Sequence, residues 1–227
     1  MEKEAADVYS QENVVEKWEF FHTTKYGLKT DTLEKAVLNK LMKKLGSVTD
    51  LLEVGCGTGH FTRWFESLGL NCCGFDLSHL MLKKAKSLSP HIQSIQGDAS
   101  LLPFKDKSFD VVAYTKCLEF IPDIAKALRE GVRVARKGML LGLMNGWSFR
   151  EIRRNIILDM GWTPFFKHVK SYSILEIWHV MRKTFYNKHT KIYWSTTVFP
   201  KTFLFVPESS LLPLGSFLGV AVRLKES

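Results

Sequence analysis

Three carboxylates and a cluster of glycines are spaced along the first half of the chain in a pattern that suits a nucleotide. The run Leu51-Leu52-Glu53-Val54-Gly55-Cys56-Gly57-Thr58-Gly59 reads as a strand entering a glycine turn and then a helix. Closely spaced glycines let backbone approach a ligand at a helix N-terminus, where the free N–H groups and the helix dipole favour negative charge. Asp76 stands at the end of the next strand, where a carboxylate can accept from both hydroxyls of a ribose. Gly97-Asp98-Ala99 follows the third strand. A carboxylate there can accept from an adenine amino group, with the next backbone N–H donating to the ring, or it can simply cap a turn.

The charges distinguish between nucleotides. A dinucleotide turn has the form GxGxxG, but the sixth position here is His60. A dinucleotide also brings two phosphates to the turn, and Glu53 would repel them. S-adenosylmethionine has no phosphate, and it carries a cationic sulfonium and a cationic ammonium beside one carboxylate. A nearby acid then helps, while the helix N-terminus suits the carboxylate. The pattern therefore favours S-adenosylmethionine, with S-adenosylhomocysteine as product, over a nicotinamide cofactor.

These residues need a parallel sheet to bring them together, and the chain supplies the alternation that builds one. Strands are expected at Asp50 to Val54, Asn71 to Phe75, Ile92 to Gln96, Phe109 to Tyr114 and Met139 to Met144. The first intervening helix carries Phe61, Trp64, Phe65 and Leu68 at helical spacing and stops at Gly69. Ser78 is expected to cap the next, which ends before Pro90, and a third runs from about Asp123 to Ala135. Beyond Asn145, helices are expected at Trp147 to Met160 and Ser171 to Phe185, and strands at Thr190 to Phe199 and Phe217 to Leu224.

From about Lys17 to Asn145 the sequence resembles the class I S-adenosylmethionine-dependent methyltransferases, in the broad group that includes the ubiquinone and menaquinone biosynthesis C-methyltransferases. Leu52-Glu53-Val54-Gly55-Cys56-Gly57-Thr58-Gly59 matches the first motif and Gly74-Phe75-Asp76-Leu77-Ser78 the second. Gly97-Asp98-Ala99 with Leu102-Pro103-Phe104, and Ser108-Phe109-Asp110-Val111-Val112, match the third and fourth. Phe21-His22-Thr23-Thr24-Lys25-Tyr26-Gly27 resembles the N-terminal segment that closes over the donor in related proteins.

The resemblance implies a Rossmann-like α/β fold with a doubly wound, seven-stranded sheet whose last strand is antiparallel. It places Glu53, Gly55, Cys56 and Gly57 near the methionine part, Asp76 on the ribose, Leu77 against adenine, and Asp98 with Ala99 on the adenine edge. Thr115 and Lys116 would face the methionine end, and Tyr26 would reach the donor from the N-terminal segment. One domain is expected over 1–227, with an N-terminal cover over about 1–45, a nucleotide-binding core over about 46–145, and a helical cap with the last two strands over about 146–227.

Methyl transfer from a sulfonium is an in-line displacement that needs alignment more than acid or base power. A base is required only where the acceptor must lose a proton, so the catalytic residue is left unassigned. Candidates at the C-terminal edge of the sheet are His22, Tyr26, Lys116, Glu119, Asn145 and Trp147, each with a structural alternative: loop residue, helix start, turn or packing aromatic. Tyr114-Thr115-Lys116-Cys117-Leu118-Glu119-Phe120 lacks the Pro-Pro-Tyr turn of many amide- and base-nitrogen methyltransferases, and Cys117 reads as a buried spectator thiol rather than a nucleophile. The segment Trp147 to Lys191 is longer than the fold requires. Together with Phe21 to Tyr26 it is expected to form a movable cover, lined by Trp162, Phe165, Phe166, Tyr172, Trp178 and Phe185, over a small or medium organic acceptor of apolar character.

Composition narrows the partners. Thirty-two Lys and Arg against 23 Asp and Glu give +9 over 227 residues, which allows an RNA methyltransferase as a second reading. The excess is spread at helical spacing, however, as on solvated helix faces, and no appended RNA-binding module is recognisable. A donor-binding, non-catalytic partner subunit is a third reading. Cys56, Cys72, Cys73 and Cys117 form no CxxC pair and no disulfide framework, so a metal site is not expected and a reducing cytoplasm is. No secretory h-region and no uncharged apolar run long enough for a transmembrane helix is read in the chain.

Overall fold

A computed structural model describes residues 12–148, 151, 170–184, 190–199 and 208–225. Two helices come first, α1 (Glu12–Thr23) and α2 (Lys25–Met42). There follow β1 (Asp50–Val54), α3 (His60–Ser67), β2 (Asn71–Asp76), α4 (His79–Leu88), β3 (Gln93–Gln96), β4 (Phe109–Thr115), α5 (Ile124–Val134) and β5 (Ala135–Met144). The chain closes with α6 (Ile174–Thr184), β6 (Thr190–Thr197), β7 (Glu208–Ser209) and β8 (Phe217–Leu224).

The strands form one sheet in the order β3-β2-β1-β4-β5-β8-β6-β7. The first five are parallel, and β8 runs antiparallel to both β5 and β6. The expected antiparallel last strand is thus β8. The sheet has eight strands rather than seven because Glu208–Ser209 adds a two-residue edge to β6.

Side-chain alternation explains why both faces are covered. Leu52, Val54, Val112 and Tyr114 point to one face, where they meet Leu128 and Val132 of α5 and Ile177 and Met181 of α6. Leu51, Val111 and Ala113 point to the other, against Val37, Leu38 and Leu41 of α2 and Phe61 and Phe65 of α3. Cys73 and Cys72 divide between the two faces as expected. The expected Ser78 cap is in place, and two further helices are capped. Ser78 Oγ accepts from Met81 N–H, Asp123 from Lys126 N–H, and Ser173 exchanges hydrogen bonds with Glu176 in a capping box.

One expectation needs redrawing. A cover over 1–45 would leave all of α2 outside the core. Instead Val37, Leu38, Leu41, Met42 and Leu45 are buried against the sheet, so the C-terminal half of α2 is structural.

At the strand end away from the glycine turn, Asp110 ties three segments together. It accepts from Thr49 N–H at 2.8 Å, Arg136 Nε at 2.9 Å and Lys137 Nζ at 3.2 Å. These partners more than offset burial, and they hold its carboxyl down to about 2 from the usual 3.8. Asp110→Ala is expected to lose about 1.5–3 kcal/mol at neutral pH, the scale of hydrogen bonds to a charged group. Because the folded pKa is depressed, this stabilisation is present above about pH 4 and fades as pH falls toward 2. Urea unfolding of wild type and variant should therefore converge at low pH; a constant difference across that window would show that the charge is not what stabilises.

Candidate active site

A cavity of about 450 Å³ opens at the C-terminal ends of β1, β2 and β4 and the loop after β3, within the size range of small-molecule sites. Its floor is the glycine turn. Gly55, Gly57 and Gly59 all have positive φ (71°, 55° and 77°), a conformation that β-carbons disfavour. Gly55 and Cys56 both donate their N–H groups to Phe75 O, at 2.7 and 3.1 Å, which stitches the turn to the end of β2.

Asp76 shapes the same turn from the other side. Its Oδ2 accepts from Gly57 N–H at 2.7 Å and its Oδ1 from Ser78 N–H at 2.8 Å, while burial raises its pKa. Glu53 is 1% exposed, and the hydroxyls of Thr62 and Thr115 donate to it. Burial dominates, and pushes its carboxyl up to about 8. Asp98 Oδ1 accepts from both the N–H and the hydroxyl of Ser100, at 2.8 and 2.7 Å, which holds the carboxyl below its usual range. The turn-capping role of Asp98 is therefore real, and it coexists with a place on the cavity wall.

Of the residues singled out from sequence, Glu53, Gly55, Cys56, Gly57, Asp76, Leu77, Asp98, Ala99, Thr115 and Lys116 all line this one cavity. Tyr26 does not. It sits on the first turn of α2, is 51% exposed and stands edge-on to Phe21 at 6.3 Å. The buried stripe of α2 runs through Gly27, Thr30 and Glu34, and Tyr26 falls to one side of it. The aromatic residue that reaches the cavity from the N-terminal segment is Trp18 of α1.

Helix α1 lies over the mouth through four contacts. Val14 and Val15 pack on Met81, Thr58 donates to Glu19, Arg63 pairs with Glu19 at 3.8 Å, and His22 stacks on His60 at 3.7 Å. Lys116, immediately after β4, adopts a left-handed backbone (φ 54°), an uncommon state for a non-glycine residue that tends to persist at functional sites. Its ammonium pairs with the buried Glu34 at 2.5 Å.

The remaining acceptor candidates are structural. Asn145 Nδ2 donates to the carbonyls of Pro213 and Gly215, both at 2.7 Å, and clamps that loop to the end of β5. Glu119 accepts from Met144 N–H, and burial pushes its carboxyl up to about 7, yet it does not line the cavity. Trp147 donates its backbone N–H to Asn145 Oδ1 and does not line the cavity. Cys117 is the expected spectator, its thiol donating to Val54 O at 3.0 Å and pushed up by burial.

The expected aromatic roof fares differently. Trp162, Phe165, Phe166 and Phe185, with most of the helix expected from Trp147 to Met160, lie outside the described residues. Tyr172 and Trp178 do not line the cavity. Helix α6 turns Ile177 and Met181 into the core beside α5, which leaves Trp178 exposed beneath the Arg182 guanidinium. Among described residues the aromatic wall is instead Trp18, Phe61, Phe75 and Phe120.

The methyltransferase-domain family profile matches residues 52–142, the segment from β1 into β5 that builds most of this wall. Over that segment the chain is similar to methyltransferase domains. A demethylmenaquinone methyltransferase from Lactobacillus johnsonii is 32% identical over 142 residues, 59% of this chain and 56% of that protein. The tocopherol O-methyltransferase of Arabidopsis thaliana is 40% identical over 117 residues, 48% of this chain and 32% of that protein. Matches to the curated relatives span between 32% and 56% of their length. A SAM-dependent methyltransferase structure from Thermotoga maritima superposes with a TM-score of 0.72 at 22% identity, covering 97% of this chain and all of that one. This likeness shows the fold, a Rossmann-like α/β sheet. Sequence reasoning passed over His60, Trp18 and Phe61 as site residues. His60 was legible only as a departure from GxGxxG, and nothing in sequence places Trp18 over a cavity built by residues 53–126.

Proposed function

We propose that the protein is an S-adenosylmethionine-dependent methyltransferase that transfers the methyl group in line to a small or medium organic acceptor. One observation carries this reading: residues from the ends of β1, β2 and β4 and from the loop after β3 meet on a single cavity. In this assignment Asp76 takes the ribose, Leu77 and the Asp98–Ala99 pair take the adenine, and Glu53, Cys56 and the glycine turn take the methionine part with Thr115. The aromatic side chains Trp18, Phe61 and Phe120 support an acceptor with apolar surface. The relatives named demethylmenaquinone methyltransferase and tocopherol O-methyltransferase support the same class. The relatives reported above are named for small-molecule methylation, and none of them supports the nucleic-acid reading of the basic excess.

We further propose a single domain working in the cytoplasm. Four unpaired cysteines support a reducing compartment, and no described helix is long and apolar enough to cross a membrane.

Titration calorimetry with S-adenosylhomocysteine, S-adenosylmethionine and NAD tests the reading, and Glu53 makes it specific. Its carboxyl is largely protonated at pH 7, being pushed up to about 8, and a cationic amino acid group bound beside it favours the carboxylate. Binding should therefore release a proton near pH 7, and affinity should rise with pH until about 8 and then level off. Heats measured in buffers of different ionisation enthalpy report that proton. Tight NAD binding without response to the sulfur nucleotides would overturn the assignment. Donor binding with no proton release would move the ammonium away from Glu53.

A further inference from the structure

Donor binding leaves one part of the cavity wall without a role. His60, the first residue of α3, lines the cavity with Lys116, Phe61 and Trp18. The strand order β3-β2-β1-β4 puts Lys116 and Asp98 on opposite sides of the glycine turn. If adenine sits at Asp98, the wall around His60 and Lys116 is where an acceptor meets the methyl group, so the inference rests on the function proposed above.

His60 is held as one half of a dyad. Its Nε2 lies 2.7 Å from Asp31 Oδ1, and hydrogen bonds from His60 and Lys35 keep the Asp31 carboxyl ionised, down to about 2 despite burial. An ionised carboxylate accepts only, so the proton between them resides on Nε2 and Nδ1 keeps the free lone pair. His22 stacks face to face on the ring at 3.7 Å and 14°. Burial holds His22 down to about 3, so it flanks the dyad as a neutral ring.

The three ligating side chains His22, Asp31 and His60 approach within 4.8 Å of one another, but the geometry does not suit a metal ion. Stacked imidazoles direct their lone pairs in parallel rather than toward one point. Lys35 Nζ, 2.7 Å from Asp31 and 3.2 Å from His60 Nε2, already supplies a cation there.

We propose that His60, oriented by Asp31, is the general base for methylation of a phenol-class hydroxyl. The oxygen lone pair forms the new O–CH₃ bond, the C–S bond breaks with its electron pair going to sulfur, and the phenol proton passes to His60 Nδ1. The resulting imidazolium is stabilised by Asp31 and returns its proton to water. Lys116 selects the class. Its ammonium, paired with the buried Glu34 and 5.8 Å from the Phe61 ring centroid, offers an ammonium acceptor no favourable partner on this wall. A carboxylate acceptor carries no proton at neutral pH and would not use the base.

The charged and titratable groups packed around the dyad are His22 on α1, Glu34 and Lys35 on α2, and Lys116 after β4. The test combines two readouts. In protein with ¹⁵N-labelled histidine, His60 should show the Nε2–H tautomer, and Asp31→Asn should shift it toward a mixture. In methyl transfer to a series of substituted phenols, His60→Gln should slow turnover about 100-fold or more and Asp31→Asn at least about tenfold, the range expected for general base catalysis. Both variants should keep S-adenosylhomocysteine affinity within about threefold. An Nδ1–H tautomer, unchanged phenol turnover in His60→Gln, or a wild type that binds S-adenosylhomocysteine but methylates benzoic acids and no phenol would each overturn the proposal. Loss of nucleotide binding in the wild type would instead overturn the donor assignment itself.

Discussion

Asp76→Ala is expected to weaken S-adenosylhomocysteine binding by about 1.5–3 kcal/mol, roughly tenfold to somewhat over a hundredfold, the scale of hydrogen bonds to a charged acceptor. The structure adds a second cost, because Asp76 also accepts from Gly57 N–H and Ser78 N–H and so shapes the turn before any ligand arrives. Burial raises its pKa, so removing the carboxylate also relieves a desolvation penalty, and the two effects on the unliganded protein offset. Thermal unfolding without ligand should therefore move far less than affinity. Asp76→Asn separates the contributions. An amide oxygen can still accept from Gly57 but carries no charge toward the ribose, so its affinity should fall between wild type and alanine. Normal binding by the alanine variant would place the ribose partner elsewhere.

The contrast between Asp76 and Tyr26 shows which features the chain announces in its sequence. Asp76, Glu53 and Asp98 are tied to strand ends, and a parallel sheet brings successive strand ends to one edge whatever the helices do. Their convergence therefore follows from order and period alone. Tyr26 belongs to a helix, where its direction depends on which stripe packs inward, and that stripe was set by the distant strands β6 and β8. The same limit hid His60 and Trp18. Each gains its role from a contact across elements far apart in sequence, with Asp31 and with the cavity rim, and no local pattern encodes such a pair. Tyr172 and Trp178 illustrate the converse. Both were expected to line the roof, but Tyr172 is buried in the core, and α6 turns Ile177 and Met181 inward instead of Trp178.

Gly55→Ala should be among the most damaging single substitutions in the chain, and its two causes can be separated. With φ at +71°, a β-carbon incurs the left-handed penalty of about 1–2 kcal/mol. The same β-carbon would lie 2.3 Å from Cys117 Cβ and 2.7 Å from its Sγ, an overlap in a close-packed region that adds about 1–3 kcal/mol. The sum, about 2–5 kcal/mol, is a large share of the stability typical of a domain, and it corresponds to a fall in Tm of roughly 4–20 °C for a chain of this length. Affinity for S-adenosylhomocysteine should also drop, since relief of the overlap must shift the turn that forms the cavity floor. Second substitutions at Cys117 divide the cost. Cys117→Ala keeps the offending Cβ and should restore little, whereas Cys117→Gly removes it and should recover the steric part, leaving the φ penalty behind. Equal rescue by both would locate the overlap at sulfur alone. A Gly55→Ala protein as stable as wild type would mean that the turn can relax away from Cys117 at no cost, and the rigid floor inferred from Gly55, Phe75 and Asp76 would have to be abandoned.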